Sequence, residues 1–519
     1  MVAIDGTPAP VLPDGLVARL RAALGAEWVW TEAEDMAEYR DPFWVPGDDT
    51  YAGAAVVAPA STEDVQAVVR IANEFGVPLW TSSQGRNNGY GGASPRVGGS
   101  IQVSLRRMNR VLEIDEELAY AVVEPGVRWF DLYDALEAGG HRLRVSIPDL
   151  GWGSVIGNSM DNGITYMPNG ADHMAPTGLE VVLPDGDLLR TGMGAVPDNK
   201  AWHLYKRMLG PSLDALFTQS NLGIVTRMGV WLQRTPETYQ TLLLGMAKDS
   251  DLEAGVDTLR ELLLDGTLRG VPCIYPAPRN GALLLDLPVP QPRVWSEEDR
   301  EAYGRETGLG RWAVRVGLWE DRDILEAKAA KIDRIWKQIP GATVHAGRVY
   351  EPHEYGEITR QTEKVHIGIP TVQLNEITPP NLGHVGFSPV VALKGTEVRY
   401  VIDQMRTRLE QHGIMFSGGI FAVSARAAAV VAGIQFDRTD PEAVRNAFAV
   451  AHELVGEIGA LGYGEYRAHL DFMDLAADQY SYNDHAYRRL VEKIKDAVDP
   501  NGIISPGRHG IWPENRRGA

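Results

Sequence analysis

The sequence predicts an α+β protein with two domains, and three observations support this class. The chain has 519 residues, several times the length that one hydrophobic core usually serves. Up to about residue 232, short apolar runs separated by glycine turns predict strands, and longer helical patterns follow. The two patterns do not alternate regularly, which argues against a repeated βαβ architecture.

Hydrophobic spacing predicts the first elements of the chain. Leu16 to Leu24 is amphipathic, and Ala54 to Ala58 is a short apolar run typical of a buried strand. Ser61 to Phe75 is predicted to be a helix, with Ser61 or Thr62 as its cap. The apolar residues that define one face of this helix are Val65, Val68, Val69 and Ala72.

The pattern changes after Trp231 to Pro236, and we predict a domain boundary there. Longer helices are predicted beyond it, at Ser250 to Leu264 and Asp323 to Gln338. Near the end of the chain, Asp484 to Val498 is predicted to be helical and runs into the loop Asp499 to Gly507.

Charge and cysteine content exclude several classes of protein. The chain has 50 basic and 69 acidic residues, a net charge of −19, which argues against nucleic acid and anionic membranes as partners. The single cysteine, Cys273, excludes an internal disulfide. The first fourteen residues lack signal-peptide features and no stretch is long enough for a membrane span, so a cytoplasmic location is predicted.

The run Gly85-Arg86-Asn87-Asn88-Gly89-Tyr90-Gly91-Gly92 carries the strongest functional signal. Four glycines in eight residues allow backbone amides to surround a group that side chains would obstruct, and a pyrophosphate is the group expected here. The run lies between Val77 to Trp80 and Ser100 to Leu105, and therefore joins two predicted strands. This differs from the Rossmann motif, in which the glycines open a helix. For an isolated run, a glycine-rich surface turn remains the alternative.

Three further segments follow the glycine run in a characteristic order. They are Val122 to Val127, Ser146 to Asn158 and Phe217 to Thr226. With the glycine run, they resemble the flavin-binding half of the vanillyl-alcohol oxidase family, and especially its bacterial eugenol-type and 4-alkylphenol oxidases. The resemblance extends from about residue 40 to Trp512.

The resemblance implies a fold and a cofactor. The fold has a two-subdomain FAD-binding domain of the vanillyl-alcohol oxidase type and a cap domain of antiparallel sheet plus helices. The implied segments are residues 1–235 for the FAD domain, 236–462 for the cap, and 463–519 for a C-terminal return to the FAD domain. The implied FAD-binding residues are Ser83, Gln84, Gly85, Arg86, Asn87, Asn88, Pro148, Gly153, Ser154, Asn158, Gly163, Gly223, Ile224, Val225, His384 and Arg508.

Four residues match the family's catalytic positions. Tyr90, from the glycine run, and Tyr466-Arg467, in Tyr463 to Leu470, match a trio that binds a phenolate oxygen. Asp149 matches an acidic residue near flavin N5, where it deprotonates an alcohol or the attacking water. Without the resemblance, the Tyr-Arg pair would be interpreted as a surface pair and Asp149 as a turn former.

His384 matches the family's site of covalent flavin attachment. A histidine at the start of an apolar strand is otherwise more often a buried core residue. Some relatives use a second, upstream histidine to prepare the attachment, but residues 43–50 contain none here. We therefore expect Asp48 or Asp49 to orient His384.

The implied reaction is FAD-dependent oxidation of para-substituted phenols such as vanillyl alcohol, eugenol and 4-alkylphenols. Hydride leaves the benzylic carbon of the phenolate, a quinone methide forms, and O2 is reduced to H2O2. A homodimer or an assembly of dimers is expected, and no metal-ligand spacing is found. Two alternatives remain: a dehydrogenase that passes electrons to a cytochrome, and a non-catalytic flavin-binding protein.

Overall fold

The structure is a computed structural model that describes residues 12–170, 174–290 and 293–518. Residues 1–11, on which most of the signal-peptide interpretation rests, lie outside these ranges. The strands of the described residues are β1 Val29–Trp30, β2 Ala55–Val57, β3 Leu79–Ser82, β4 Ile101–Ser104, β5 Val111–Asp115, β6 Tyr120–Val123, β7 Leu143–Arg144, β8 Pro176–Val182, β9 Leu188–Arg190, β10 Ile224–Trp231, β11 Gln233–Arg234, β12 Thr238–Met246, β13 Cys273–Pro276, β14 Trp312–Glu320, β15 Thr343–Ala346, β16 Leu382–Phe387, β17 Val390–Ala392, β18 Gly419–Phe421 and β19 Ala427–Asp437.

The α-helices of the same residues differ widely in length, from one turn to twenty residues. They are α1 Leu16–Leu24, α2 Ala33–Met36, α3 Thr62–Phe75, α4 Trp129–Ala138, α5 Val155–Met160, α6 Leu252–Leu264, α7 Arg279–Leu285, α8 Glu297–Thr307, α9 Arg322–Trp336, α10 Gln361–His366, α11 Gln373–Glu376, α12 Gly395–Gln411, α13 Pro441–Ala460, α14 Met473–Asp478 and α15 Tyr482–Val498. Within the described residues, none is long and apolar enough to cross a membrane.

Two larger sheets and a small two-stranded sheet of β7 and β11 form the N-terminal part of the described fold. In the first, with order β1-β2-β4-β3, β4 pairs in parallel with both β2 and β3, and β1 is an antiparallel edge. The second is a five-stranded antiparallel sheet with order β5-β6-β10-β8-β9. The glycine run lies between β3 and β4, as predicted. Its glycines favour turns, so the chain leaves the extended conformation between the two strands.

The second part of the fold is built on one large antiparallel sheet. Its order is β15-β12-β14-β13-β18-β19-β16, and β17 also pairs with β19. Helices α6, α9, α12 and α13 contribute apolar faces to a core that includes Trp312 and Trp336. The predicted α+β class with an antiparallel-sheet-plus-helices cap is therefore confirmed.

The C-terminal segment packs against the first sheet. The Leu79 N–H donates to the Ile503 carbonyl at 2.7 Å, and the Ser505 N–H donates to the Leu79 carbonyl at 2.8 Å. Buried Lys495 donates to the carbonyls of Asn221 and Ile504 at 2.7 and 2.8 Å. These bonds hold the segment beside β3, the strand that leads into the glycine run. The predicted boundaries at residues 235 and 462 stay predictions.

Candidate active site

A cavity of about 310 Å³ lies between the glycine run, α5, β10 and the C-terminal segment. Thirteen of the sixteen residues predicted to bind FAD line it: Ser83, Gln84, Gly85, Arg86, Asn87, Pro148, Gly153, Ser154, Asn158, Gly223, Ile224, Val225 and Arg508. The sequence interpretation missed other lining residues, including Trp80, Trp129, Trp152, Gly157 and Asp161.

Three of the predicted FAD-binding residues do not line this cavity. Gly163 packs against Asn158, where an added Cβ would lie 2.0 Å from the Asn158 side-chain oxygen. Asn88 and His384 lie at the far end of the glycine run, because an added Cβ on neighbouring Gly89 would come within 2.6 Å of the His384 ring. Gly163 therefore packs against a residue that lines the cavity, whereas Asn88 and His384 lie beside the glycine run.

The start of the glycine run has the local structure expected of an anion cradle. Within the described residues, the backbone N–H groups of Ser83 to Arg86 donate to no protein acceptor. Gly85 has φ of +65°, a left-handed conformation that turns successive amides toward one side. Gly157 keeps α5 close to this loop, since an added Cβ would lie 2.1 Å from the Ser83 hydroxyl. These features fit the pyrophosphate of a dinucleotide.

The structure brings two members of the predicted phenolate trio, Tyr90 and Arg467, into contact. The Arg467 guanidinium carbon lies 4.4 Å from the centre of the Tyr90 ring, and the Tyr90 hydroxyl lies 3.1 Å from the Ser388 hydroxyl. Gly386 makes room for this tyrosine, because an added Cβ would lie 2.6 Å from its ring. Tyr466 lines an adjoining cavity of about 690 Å³ that also reaches Arg467.

Electrostatics in this cluster favour a charged Arg467. Burial alone would lower its pKa, but Asp161, Tyr466 and Tyr90 raise the pKa above its usual value. The pKa of Tyr90 is raised by burial, against the opposing charge of Arg467 and the bond to Ser388. At neutral pH, the cluster therefore presents one guanidinium and neutral hydroxyl donors.

Asp161 was not identified from the sequence, although it contacts Arg467 directly. Its Oδ2 lies 2.9 Å from Arg467 Nη2 and accepts from Arg467 Nε at 3.0 Å. The Asn87 side-chain amide donates to the same oxygen at 2.8 Å. No local sequence signal marks Asp161, because its partners come from segments 74 and 306 residues away.

Asp149 is also held by residues that the sequence interpretation missed. Its Oδ1 lies 2.9 Å from Nη2 of Arg315, and its Oδ2 accepts from the Tyr166 hydroxyl at 2.6 Å. The Arg315 side chain is fully buried and stacks on the Tyr166 ring at 4.0 Å. The sequence did contain a signal for this pair, because Arg315 lies within the otherwise apolar strand Trp312–Glu320. A buried arginine needs an acidic partner.

His384 lies in β16 with its ring centre 5.0 Å from that of Phe43. Burial lowers the pKa of this histidine to about 4, with a further lowering by Arg279, so the imidazole is neutral at physiological pH. The expectation that Asp48 or Asp49 orients it is wrong. Asp48 instead accepts from the Thr50 N–H at 2.9 Å, and Asp49 pairs with Arg40.

The carboxylate that influences His384 is Asp41, a buried residue on the same segment. Asp41 raises the pKa of His384, while its Oδ2 lies 2.8 Å from His469 Nε2. Asp41 is buried, whereas Asp48 and Asp49 are exposed. Among the residues described, no group of His, Cys, Asp or Glu is arranged to hold a metal ion.

Comparison with known proteins supports FAD as the ligand of this cavity. Residues 53–192 match the family model of the FAD binding domain, and residues 311–509 match that of the C-terminal domain of FAD linked oxidases. The fold and its cavity therefore define an FAD-dependent oxidoreductase. The same two models cover the loop that forms the anion cradle and the strand that carries Arg315.

Full-length relatives identify the family. A 4-ethylphenol oxidase from Gulosibacter chungangensis, solved with isoeugenol, is 37% identical, with a TM-score of 0.91 over 98% of this chain and 100% of that one. The structure of p-cresol methylhydroxylase with substrate bound is 30% identical, with a TM-score of 0.88 over 96% and 97%. The flavoprotein subunit of 4-cresol dehydrogenase from Pseudomonas putida is 32% identical over 96% of this chain and 98% of that protein. This chain belongs to the vanillyl-alcohol oxidase/p-cresol methylhydroxylase family of flavoproteins.

Proposed function

We propose that this protein is an FAD-dependent oxidase of para-substituted phenols. The observation that carries the proposal is the cluster of Arg467 with Tyr90 beside the anion cradle. One cation with neutral hydroxyl donors is the arrangement that a phenolate oxygen requires. The similarity to a 4-ethylphenol oxidase and to a 4-cresol dehydrogenase supports phenols as the substrate class.

The cluster must supply the energy that phenol ionisation costs. A free phenol has a pKa of about 10, so ionisation near pH 7 to 8 costs roughly 3 to 4 kcal/mol. Hydrogen bonds to a charged group contribute roughly 1.5 to 3 kcal/mol each, so Arg467 and the two tyrosines together offset this cost. Because the whole chain has a net charge of −19, the favourable charge has to be local.

Ionisation activates the benzylic carbon at the other end of the ring. Electron donation from the phenolate oxygen weakens the benzylic C–H bond, and loss of hydride leaves a neutral quinone methide. FAD, when bound, supplies the hydride acceptor. Asp149, fixed by Arg315 and Tyr166, takes the proton from water that adds to the quinone methide or from an alcohol substrate.

We propose O2 as the electron acceptor, which would yield H2O2. The 37% identity to an oxidase and the histidine at position 384 support this choice. The second candidate is a dehydrogenase that passes electrons to a cytochrome, because the 4-cresol dehydrogenase subunit is 32% identical. The homodimer and the cytoplasmic location likewise stay predictions.

Anaerobic titration of the purified holoenzyme tests this proposal. We expect vanillyl alcohol or 4-ethylphenol to bleach the flavin absorbance, and admitted air to restore it with formation of H2O2. Bleaching with slow recovery in air, together with fast recovery on addition of a cytochrome, would favour the dehydrogenase. Flavin that stays oxidised with both phenols would contradict a phenol-oxidising function.

Replacement of His384 tests the proposed covalent attachment. We expect His384→Ala to release all its FAD on acid denaturation, whereas the wild-type protein retains it in the precipitate. Because burial lowers the pKa of His384 to about 4, the imidazole is already neutral above that pH. The rate of attachment to apoprotein should therefore stay constant from pH 8 to about 5 and fall near pH 4.

The matched control replaces a second buried histidine, His469. His469→Ala removes another buried histidine, which pairs with Asp41, and should leave the flavin attached. Flavin that remains covalently bound in His384→Ala would disprove the linkage. An attachment rate that falls between pH 7 and 6 would contradict the neutral imidazole.

A further inference from the structure

The Arg467 guanidinium is held on two of its three nitrogen atoms. Asp161 accepts from Nε at 3.0 Å and lies 2.9 Å from Nη2, and Nη2 also donates to the Asn87 side-chain oxygen at 2.6 Å. Within the described residues, Nη1 has no protein partner. The contacts therefore fix the plane of the guanidinium and leave one edge free for another acceptor.

Asp161 also contacts a second cationic segment. Its Oδ1 lies 3.7 Å from Nη2 of Arg508, which lines the cavity, and 3.5 Å from Nε2 of His509. Burial lowers the pKa of His509, so this imidazole is neutral. Two guanidiniums thus surround one carboxylate, and the cluster has a net charge of about +1.

The remaining titratable groups around Arg467 do not change this balance. Burial raises the pKa of Glu465 well above its usual value, which favours its neutral form. The pKa of Asp161 lies below its usual range because Arg467, the His509 side chain and Arg508 outweigh burial. Burial raises the pKa of Tyr90, so its hydroxyl is a neutral donor beside Arg467.

We propose that Asp161 is a positioning residue for the phenolate: it orients Arg467 and cancels part of its charge. This inference rests on the proposed phenol chemistry of the same site. Asp161 directs the free Nη1 edge toward the substrate oxygen and limits the site to one additional negative charge. Asn87 completes the clamp from the glycine run.

Partial cancellation has a catalytic reason. Hydride loss requires electron density to leave the phenolate oxygen, so charge on this oxygen decreases in the transition state. An uncompensated guanidinium pair would stabilise the bound phenolate more than the transition state and would slow the reaction. Asp161 therefore reduces ionisation of the bound phenol somewhat and accelerates the step that follows.

The test uses Asp161→Asn, which keeps the shape of the side chain and removes its charge. The probe is 4-hydroxyacetophenone, because its benzylic carbon has no hydrogen and its phenolate absorbs at longer wavelength than the phenol. We expect the pKa of the bound probe to fall by about one unit, since a nearby negative charge has been removed. Under anaerobic conditions, 4-ethylphenol should bleach the variant's flavin at least about tenfold more slowly.

Easier ionisation of the bound probe combined with slower flavin bleaching distinguishes this role from a structural one. A general loss of packing would weaken probe ionisation and slow bleaching together, which would overturn the proposal. Asp249→Asn is the matched control, because Asp249 also pairs with several guanidiniums but lies in the cap away from the cavity. This control should change neither measurement.

A second variant covers the case in which Asp161→Asn fails to retain FAD. Asp161→Glu keeps the charge but displaces it, so the bound probe's pKa should stay within a few tenths of a unit while bleaching slows. A bound-probe pKa that is unchanged or raised in Asp161→Asn would overturn the role of Asp161 alone. If the wild-type protein binds the probe as neutral phenol, the proposed function itself fails.

Discussion

Replacement of Arg467 by alanine is expected to lower kcat/KM for 4-ethylphenol by about 10³-fold or more. The Arg467 guanidinium lies 4.4 Å from the Tyr90 ring, and removal of one donor to a developing or bound oxyanion already costs about 10²- to 10³-fold. Loss of the charge adds the cost of ionising the phenol without a counter-ion. Steady-state rates and anaerobic bleaching measure this effect.

The same substitution leaves Asp161 buried with a weaker partner. An uncompensated buried charge destabilises a protein by roughly 3 to 5 kcal/mol, although Arg508 at 3.7 Å reduces this penalty here. The double variant Asp161→Asn/Arg467→Ala should therefore recover thermal stability and remain inactive. This combination separates loss of chemistry from loss of structure.

The matched control for this prediction is Arg408→Ala, which removes an arginine on the surface of the cap that pairs with Glu457. Because exposed ion pairs contribute little, we expect its activity and stability to match the wild type. Arg467→Ala with wild-type turnover of 4-ethylphenol would show that phenols do not bind through this cluster.

Replacement of Asp149 by asparagine is expected to have the second largest effect. The neutral amide cannot act as a base, so hydration of the quinone methide or alcohol oxidation should slow by about 10²-fold. The variant should also lose roughly 3 to 5 kcal/mol of stability, because the fully buried Arg315 loses its carboxylate partner. Product analysis and thermal unfolding measure the two effects independently.

The double variant Asp149→Asn/Arg315→Met provides the control. An unbranched apolar side chain removes the unpaired charge and fills most of the same volume, so stability should return while activity stays low. Wild-type rates and products in Asp149→Asn would remove this residue from the reaction. Stability that does not change would contradict the buried ion pair.

Local sequence was sufficient to predict the backbone of the cavity. The glycine run was predicted to join two strands, and the structure has it between β3 and β4. The cap of α3 was predicted at Ser61 or Thr62, and the Ser61 hydroxyl accepts from the Asp64 N–H at 3.1 Å. These features depend on neighbouring residues, so their spacing carries the information.

The helix near the C-terminus illustrates the limit of spacing. The apolar pattern predicted a helix from Asp484, but Asn483, Asp484 and His485 have positive φ values. Hydrophobic periodicity does not record backbone handedness, and Asn and Asp tolerate left-handed conformations better than most residues. Regular helical geometry therefore begins after His485.

Residues that complete the site through long-range pairing could not be predicted from spacing. Asp161 meets Arg467 across 306 residues, and Asp149 meets Arg315 across 166 residues. Each pair becomes recognisable only when folding removes both partners from water, because an isolated charge would be unfavourable there. For the same reason, the sequence points to Asp48 or Asp49 as the acidic neighbour of His384, whereas the folded chain supplies Asp41.

The pairing of Leu79 with Ile503 and Ser505 constrains how the protein is made. The strand that leads into the glycine run obtains part of its hydrogen bonding from residues more than 420 positions later. Arg508, which lines the cavity, follows directly. The FAD cavity therefore cannot close during synthesis until the ribosome has released the chain as far as Arg508.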